Sequence, residues 1–194
     1  MAHRQNLEQL ISIKPDYIGF IFYPKSPRNI LEPEIILSVP TEINRVAVVV
    51  NKPFDEIATI IKKFNVNCIQ LHGNETPEFC SEVKKLGVTT IKAFAVDNDF
   101  NFGITKEYNT DFFLFDAKGE KVGGNGTKYN WQILKHYNHT TPYFLSGGIM
   151  PNDAIALKQS CINAYAIDIN SKFEISPGLK DIKAVEQFKL QLSK

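Results

Sequence analysis

The sequence has little of what disulfide-bonded or metal-binding proteins need. Its 194 residues contain three cysteines, Cys68, Cys80 and Cys161, and no two of them have the spacing of metal ligands. Because the number is odd and the spacings are long, we expect reduced thiols in a cytoplasmic protein. The four histidines form no zinc motif. The sequence therefore predicts neither a metal site nor a disulfide framework.

The chain also lacks an excess of charge and any long apolar run. Its 22 Lys and Arg residues nearly balance its 21 Asp and Glu residues, which gives a net charge of +1. The cations are scattered, so we expect no nucleic-acid partner and no membrane surface. No apolar run approaches the roughly 18 residues of a membrane span, and the opening residues do not form a signal peptide. We expect one cytoplasmic domain over residues 1–194.

Seven short apolar runs, rich in β-branched and aromatic residues, recur along the chain. They are Tyr17–Phe22, Arg45–Val50, Cys68–His72, Thr90–Val96, Phe112–Asp116, Tyr143–Ser146 and Ala164–Ile169. Most are almost continuously apolar, which is typical of strands covered on both faces in a parallel sheet.

Eight segments between and around these runs have helical character. They are Gln5–Ile13, Glu32–Val39, Phe54–Phe64, 76–87, Asn98–Tyr108, Asn130–Tyr137, 152–160 and 182–192. The repeated unit of strand, loop and helix predicts an α/β fold. Because the chain opens on a helix, we expect an eightfold barrel that lacks its first strand. The alternative is an open, doubly wound sheet with an extra N-terminal helix.

Polar residues stand where several of the apolar runs end, and in a β/α barrel the loops after the strands build the site. Arg28 follows the first run, where its guanidinium could bind a carboxylate or phosphate, or simply be solvated. Gln70 and His72 alternate, so both can point into one lumen or form a hydrogen-bonded core pair. Asp116 ends an apolar strand, where a carboxylate is costly unless it is paired or functional, and it suits general acid catalysis.

Glycines follow two of the predicted strands. Gly124 and Gly126 lie in a loop after Asp116 that could let backbone approach a ligand or could be a flexible surface loop. Gly147 and Gly148 follow the sixth run and precede a helix. In barrels, phosphate sites often form from the last two such loops, with main-chain N–H groups as donors. We therefore expect these two glycines to bind an anion rather than only to make a turn.

Five stretches, in this order, resemble the phosphoribosylanthranilate isomerase family over nearly the whole chain. They are DYIGFIFYPKSPR (Asp16–Arg28), IQLHG (Ile69–Gly73), FDAKGEKVGGNGTKYNW (Phe115–Trp131), LSGGI (Leu145–Ile149) and DINSKFEISPGLKD (Asp168–Asp181). LSGGI also occurs in other phosphate-binding barrels, whereas the ordered set does not. The resemblance implies a (β/α)8 TIM barrel of the ribulose-phosphate-binding type.

The resemblance also implies an activity. The family carries out a cofactor-free Amadori rearrangement in tryptophan biosynthesis, from N-(5-phosphoribosyl)anthranilate to 1-(2-carboxyphenylamino)-1-deoxyribulose 5-phosphate. A phosphorylated sugar would be the small-molecule partner, and the protein a monomer or homodimer. Asp116 matches the aspartate that protonates the furanose ring oxygen, and Arg28 matches the residue that binds the anthranilate carboxylate.

Further residues match the family by position. The phosphate-binding region corresponds to Gly147, Gly148, Asp168 and Ser171. The sixth loop, which closes near the substrate, corresponds to Gly124 and Gly126. Lumen residues near the reacting ring correspond to Gln70 and His72.

The chain departs from the family at the general base, a cysteine in a first-strand segment like Lys-x-Cys-Gly-Met. Cys68 and Cys161 lie at the predicted strand ends opposite the site, and Cys80 lies inside a helix. Met1 falls where the methionine of that segment would stand. We expect that a start assigned too late has left the first strand out; the alternative is a true truncation with two exposed sheet edges. As written, the chain is expected to have very low activity.

Two other functions fit parts of the sequence. A non-catalytic sugar-phosphate-binding barrel would keep Arg28 and the phosphate loops without the base. A lyase such as indole-glycerol-phosphate synthase would need lysine and glutamate groups at strand ends, and only Lys92 in the fourth run is suggestive.

Overall fold

A parallel sheet of seven strands forms the centre of the molecule. The computed structural model describes residues 1, 3–117, 130–160 and 162–193. The parallel strands, β1 to β7, are Tyr17–Ile21, Asn44–Val49, Cys68–Leu71, Thr89–Val96, Phe112–Ala117, Tyr143–Leu145 and Ala166–Ile167. Every strand begins and ends within two residues of the predicted apolar run. The agreement is close because strands that are buried on both faces need continuous apolar runs.

The strand order decides between the two predicted architectures. The strands pair in the order β1-β2-β3-β4-β5-β6-β7, and every pairing is parallel. A doubly wound sheet reverses its order at a switch point, and this sheet does not. The sheet also curls, because the ring of Tyr17 on β1 meets that of Phe144 on β6 with centroids 5.0 Å apart. The fold is therefore of the (β/α)8 barrel type, with β1 and β7 as edge strands.

Helical segments alternate with the strands. The α-helices, α1 to α5, are Arg4–Ser12, Phe54–Phe64, Pro77–Lys84, Ala154–Gln159 and Ile182–Ser193. Among the described residues, no helix has the length and apolar character to cross a bilayer.

Three of the eight predicted helices are instead single stretches of 3₁₀ helix. They are Pro33–Ser38, Phe102–Glu107 and Trp131–His136. Each is six residues long, and a 3₁₀ helix is favoured over an α-helix only in such short pieces. Asn101 and Asn130 cap two of them by accepting from Gly103 N and Gln132 N. The prediction of full helices there was wrong, although an apolar face does pack on the sheet at each place.

Apolar side chains fill both sides of the sheet. The outer layer, between sheet and helices, includes the fully buried Phe20, Phe113 and Phe115. The lumen holds a smaller cluster of residues from neighbouring strands, namely Val46, Cys68, Ile91, Ala93, Leu114 and Phe144. Since side chains alternate along a strand, this cluster identifies which positions face the lumen.

A short antiparallel hairpin follows β7 and was not predicted. Its strands are β8, Glu174–Ser176, and β9, Leu179–Lys180. The hairpin is joined to α1 by Asn6, whose side chain accepts from Lys180 N at 2.7 Å and donates to Lys180 O at 3.0 Å. The first helix, α1, and the hairpin that follows the last parallel strand are thus held together across the open side of the sheet.

Candidate active site

Eight of the ten predicted site residues line one cavity of about 710 Å³, which runs from Tyr17 and Asn44 at the amino ends of β1 and β2 to the carboxyl ends of the strands. They are Arg28, Gln70, His72, Asp116, Gly147, Gly148, Asp168 and Ser171. These residues follow or end five different strands, so the barrel topology alone brings them together. Gly124 and Gly126 lie outside the described residues.

Asp116 lies at the end of β5 on the lumen side of the sheet. It shares that side with Leu114 because side chains alternate along the strand. Its Oδ1 accepts from Ala117 N at 2.9 Å, and its Oδ2 lies 3.5 Å from His72 Nε2. One carboxylate oxygen is therefore held by the main chain while the other faces the imidazole.

Gln70 holds the ring of His72 in place. The two side chains point the same way from β3 and its end, and Gln70 Nε2 lies 2.7 Å from His72 Nδ1. Because an amide group has a donating nitrogen and an accepting oxygen, it can pair with Nδ1 in either of its protonation states. The other ring nitrogen, Nε2, faces Asp116, so the imidazole of His72 lies between the Gln70 amide and the Asp116 carboxylate.

Asp168 is a second carboxyl group on the cavity wall. Its Oδ2 accepts from Ser146 Oγ at 3.0 Å. Burial raises the pKa of the Asp168 carboxyl above its ordinary value, and the charge of Asp116 adds to the rise, whereas the Ser146 hydrogen bond and the charge of Lys180 oppose it. The lumen therefore holds two carboxyl groups that repel each other when both are charged.

The turn after β6 depends on its glycines. Gly147 has φ of +91° and Gly148 has φ of +64°, a left-handed region that other residues rarely adopt. A Cβ on Gly147 would lie 2.3 Å from Ala117 N. Successive main-chain N–H groups in such a turn can form a concave anion site, as predicted for these two residues. The same close approach presses this turn against the residue that follows Asp116.

Arg28 does not stand free in its loop. Its Nε lies 2.7 Å from Glu174 Oε2, and the two side chains are 14% and 3% exposed. Lys180 Nζ lies 3.1 Å from the other oxygen, Glu174 Oε1. Burial lowers the pKa of Lys180, and the charge of Glu174 opposes that fall. The sequence analysis did not single out Glu174, although it lies in the stretch DINSKFEISPGLKD.

Lys92 faces away from the lumen. Ile91 and Ala93, its neighbours on β4, belong to the lumen cluster, so Lys92 points to the opposite side. There its Nζ lies 2.8 Å from Glu75 Oε2 and donates to Gly73 O at 2.7 Å. This geometry removes the one residue that suggested a lyase, because a lyase lysine would have to reach the lumen.

The described cysteines do not offer a proton acceptor at the site. Cys68 begins β3 at the amino end of the strand, and Cys80 lies within α3, as predicted. Burial raises the pKa of Cys68 to about 12 and that of Cys80 to about 11, so both remain thiols at neutral pH. Cys161 lies outside the described residues. Within the described ranges, no group of three His, Cys, Asp or Glu residues is placed to hold a metal ion.

Comparison with known proteins gives a consistent result. The profile of the family described as N-(5'phosphoribosyl)anthranilate (PRA) isomerase matches residues 1–190. The N-(5'-phosphoribosyl)anthranilate isomerase of Parabacteroides distasonis is 38% identical over 199 residues, covering 99% of this chain and 90% of that protein. That of Phocaeicola vulgatus is 38% identical, covering 99% and 94%.

A solved structure agrees with these sequences. Phosphoribosyl anthranilate isomerase from Thermotoga maritima is 29% identical and superposes with a TM-score of 0.86, covering 100% of this chain and 95% of that one. The sequence profile, the relatives and the barrel lead to the same conclusion: the chain belongs to the N-(5'-phosphoribosyl)anthranilate isomerase family.

Proposed function

We propose that this protein isomerises N-(5'-phosphoribosyl)anthranilate to 1-(2-carboxyphenylamino)-1-deoxyribulose 5-phosphate, a step of tryptophan biosynthesis. The observation that carries the proposal is the convergence of eight predicted site residues, from five strand ends, on one cavity. A cavity of about 710 Å³ lies within the usual size range of sites for small ligands. The partner is thus a small phosphorylated sugar, and we expect a cytoplasmic monomer or homodimer.

Asp116 is the proposed general acid for ring opening. It donates a proton to the furanose ring oxygen as the bond between that oxygen and C1 breaks. The lone pair of the anilino nitrogen forms the C1=N bond of the resulting iminium. The carboxylate left behind lies 3.5 Å from His72 Nε2, and in this proposal a proton on that nitrogen stabilises the developing negative charge.

The second stage moves a proton from C2 to C1. A base removes the C2 proton, the electron pair forms the C1=C2 bond, and the iminium becomes a neutral enaminol. Addition of a proton at C1, with loss of the proton of the C2 hydroxyl group, then gives the ketone. In the family the base is a first-strand cysteine, and Cys68 and Cys80 are both buried as thiols away from the cavity. Among the described residues, neither cysteine is therefore placed to act as that base.

Binding is divided between the two anionic ends of the substrate. Arg28 is the proposed partner of the anthranilate carboxylate, because guanidinium donates to a carboxylate through two parallel N–H groups. The turn at Gly147 and Gly148, with Ser171 on the next loop, is the proposed phosphate site. Main-chain N–H groups at left-handed glycines suit an anion and leave no side chain in its way.

The proposal is tested by comparing two polypeptides. One is the 194-residue chain, and the other is the same chain preceded by Lys-Ile-Cys-Gly, which supplies the family's base. The substrate is fluorescent, so its consumption is followed directly, with Asp116→Asn in the longer polypeptide as the inactive control. We expect the longer polypeptide to turn over substrate ~10²–10⁴ times faster, the typical contribution of one acid–base group.

Other outcomes are equally informative. Equal activity of the two polypeptides would show that another group serves as the base. If both fold and bind the substrate with no turnover, the protein is a sugar-phosphate-binding barrel and the isomerase proposal is wrong.

A further inference from the structure

One buried carboxylate stands between two parts of the site. Glu174, on the hairpin strand β8, accepts from Arg28 Nε through one oxygen at 2.7 Å and from Lys180 Nζ through the other at 3.1 Å. Only 3% of its side chain is exposed. A carboxylate with both oxygens engaged by cations from different segments has a fixed orientation, and so fixes theirs.

The contact with Glu174 limits how Arg28 can meet a ligand. A guanidinium can present a carboxylate with two parallel donors either at its end, through both terminal amino groups, or at its side, through Nε and one amino group. Glu174 occupies Nε. The end with the two amino groups is the face left for bidentate binding, and Arg28 lines the cavity.

Lys180 extends the same network to the loop after β7. Its Nζ donates to Asn170 Oδ1 at 2.8 Å and to Asn170 O at 3.2 Å. Asn170 precedes Ser171 in this loop, and both line the cavity. The main chain of Lys180 is itself held by Asn6, so the ammonium group acts from a fixed position.

We propose that Glu174 is a positioning residue for ligand binding: it orients Arg28 toward the ligand's carboxylate and, through Lys180, holds the Asn170–Ser171 loop in place for the phosphate. The inference rests on the proposed function. It adds that the two anionic ends of the substrate are recognised by parts of one network, so disturbing Glu174 weakens both.

A structural role alone would give a different result. Removing Glu174 leaves two partly buried cations close together, which lowers stability whatever the ligand does. Stability therefore cannot decide the question. Selectivity between two ligands that differ only in the carboxylate can, because a general loss of folded protein affects both ligands equally.

The experiment measures dissociation constants calorimetrically, so it needs no turnover and no base. The first ligand is the product with its ketone reduced to an alcohol, and the second is the same compound with phenylamino in place of 2-carboxyphenylamino. Inorganic phosphate is the third probe. The variant is Glu174→Met, which is near-isosteric and removes both acceptors, and the matched control is Glu186→Met on the exposed face of α5.

We expect Glu174→Met to reduce the preference for the carboxylate ligand about tenfold, the value of one charge-assisted hydrogen bond. In an Arg28→Met background the same substitution should leave that preference unchanged, because the group that it orients is gone. Phosphate binding should weaken about equally in Glu174→Met and Lys180→Met. Glu186→Met should change none of these values.

Several results would overturn the inference. Undiminished carboxylate preference in a folded Glu174→Met, or an undiminished affinity for phosphate, would contradict the positioning role. If Glu174→Met does not fold, Glu174→Asp replaces it, because this variant keeps the charge but draws it back by one methylene. We expect Glu174→Asp to lose part of the preference for the carboxylate ligand. A Glu174→Asp variant with an unchanged preference would refute the role. If the unsubstituted protein binds neither sugar ligand, the proposed function itself fails and the inference falls with it.

Discussion

At the scale of single residues, the site combines groups whose burial has a cost. Asp168 is the clearest case, because it stands on a cavity wall near a second carboxyl group and its main support is one hydroxyl. Active sites often keep such groups at the expense of stability. The pH dependence of stability should reveal that expense.

Replacing Asp168 by Asn should stabilise the protein at neutral and alkaline pH. The folded-state pKa of Asp168 is raised by burial and by Asp116, above the unfolded value of about 4. At a pH between the unfolded and the folded pKa, the folded state keeps a proton on Asp168 that the unfolded state has lost. The stability that this group contributes is therefore full below about pH 4, and it is lost as the pH rises through the folded pKa. Asn cannot ionise and can still accept from Ser146.

Thermal unfolding at pH 4, 6 and 8 checks this prediction. The midpoint of Asp168→Asn should exceed that of the unsubstituted protein at pH 8, and the difference should vanish toward pH 4. Asp99→Asn, at an exposed position, is the control and should show no such gain. A variant that is less stable at pH 8 would mean that the charged carboxylate is better supported than its surroundings indicate.

Gly147→Ala should disturb both stability and the position of Asp116, the proposed general acid. The residue has φ of +91°, and its added Cβ would lie 2.3 Å from the main-chain nitrogen of Ala117. Gly87→Ala is a matched control, since φ is +76° there and nothing lies within 4 Å. We expect Gly147→Ala to cost at least ~2 kcal/mol more than Gly87→Ala in urea unfolding, because only it adds crowding to backbone strain. Equal costs would show that the Ala117 segment moves aside freely.

The sequence alone predicted the site residues that follow strands, because apolar runs and the polar residues that end them are local features. Arg28, Asp116 and Gly147 were predicted in this way, and all three line the cavity. Glu174 was missed because its partner Arg28 is 146 positions away, and no local pattern reports such a pair. Lys92 was noticed only as suggestive of a lyase, since a buried lysine with a buried partner looks the same in sequence as one that faces a lumen.

At the scale of elements, strands were easier to predict than helices. Every predicted parallel strand is present, whereas Pro33–Ser38 and two similar segments are 3₁₀ helices. Over six residues, a repeat of 3.0 and one of 3.6 residues per turn both place residues i and i+3 on the same face, and one or two such apolar pairs do not separate the two helix types. The hairpin of β8 and β9 was missed because strands of three and two residues carry no periodicity.

A buried ion pair ties the end of β3 to β4 and should be costly to break. Lys92 and Glu75 lie 2.8 Å apart with side chains 3% and 2% exposed. Lys92→Met should lower the free energy of unfolding by about 3–5 kcal/mol, because it leaves a buried carboxylate unpaired. Lys84 and Asp111 form a comparison pair at 2.9 Å, 33% and 35% exposed, and Lys84→Met should cost less than about 1 kcal/mol.

Urea unfolding of the two variants, measured in the same buffer, checks the comparison. The double variant Lys92→Met with Glu75→Gln should recover part of the loss, because it removes the unpaired charge. Similar costs for Lys92→Met and Lys84→Met would show that water reaches Glu75 when its partner is removed.

At the scale of the whole molecule, the sheet is built from contacts between strands that follow each other in the chain. Each of the seven parallel strands pairs with its neighbours in the chain. The site is the exception, since its residues come from five strand ends and from both edges of the sheet. A local change at one strand end can therefore leave the sheet intact and still alter the cavity.

The contact between Asn6 and Lys180 has a consequence for the order of assembly. It joins positions 174 apart, whereas neighbouring strands join segments roughly 20–30 residues apart. Loop-closure entropy makes the longer closure costlier by about 2 kcal/mol. The contact between Asn6 and Lys180 should therefore form last and open first. Amide hydrogen exchange should be faster at Lys180, whose N–H is held by Asn6, than within β3. The variant Asn6→Ala should accelerate exchange at Lys180 and leave exchange within β3 unchanged. Local unfolding would then begin at this contact, while the strands on the opposite side of the barrel keep their hydrogen bonds.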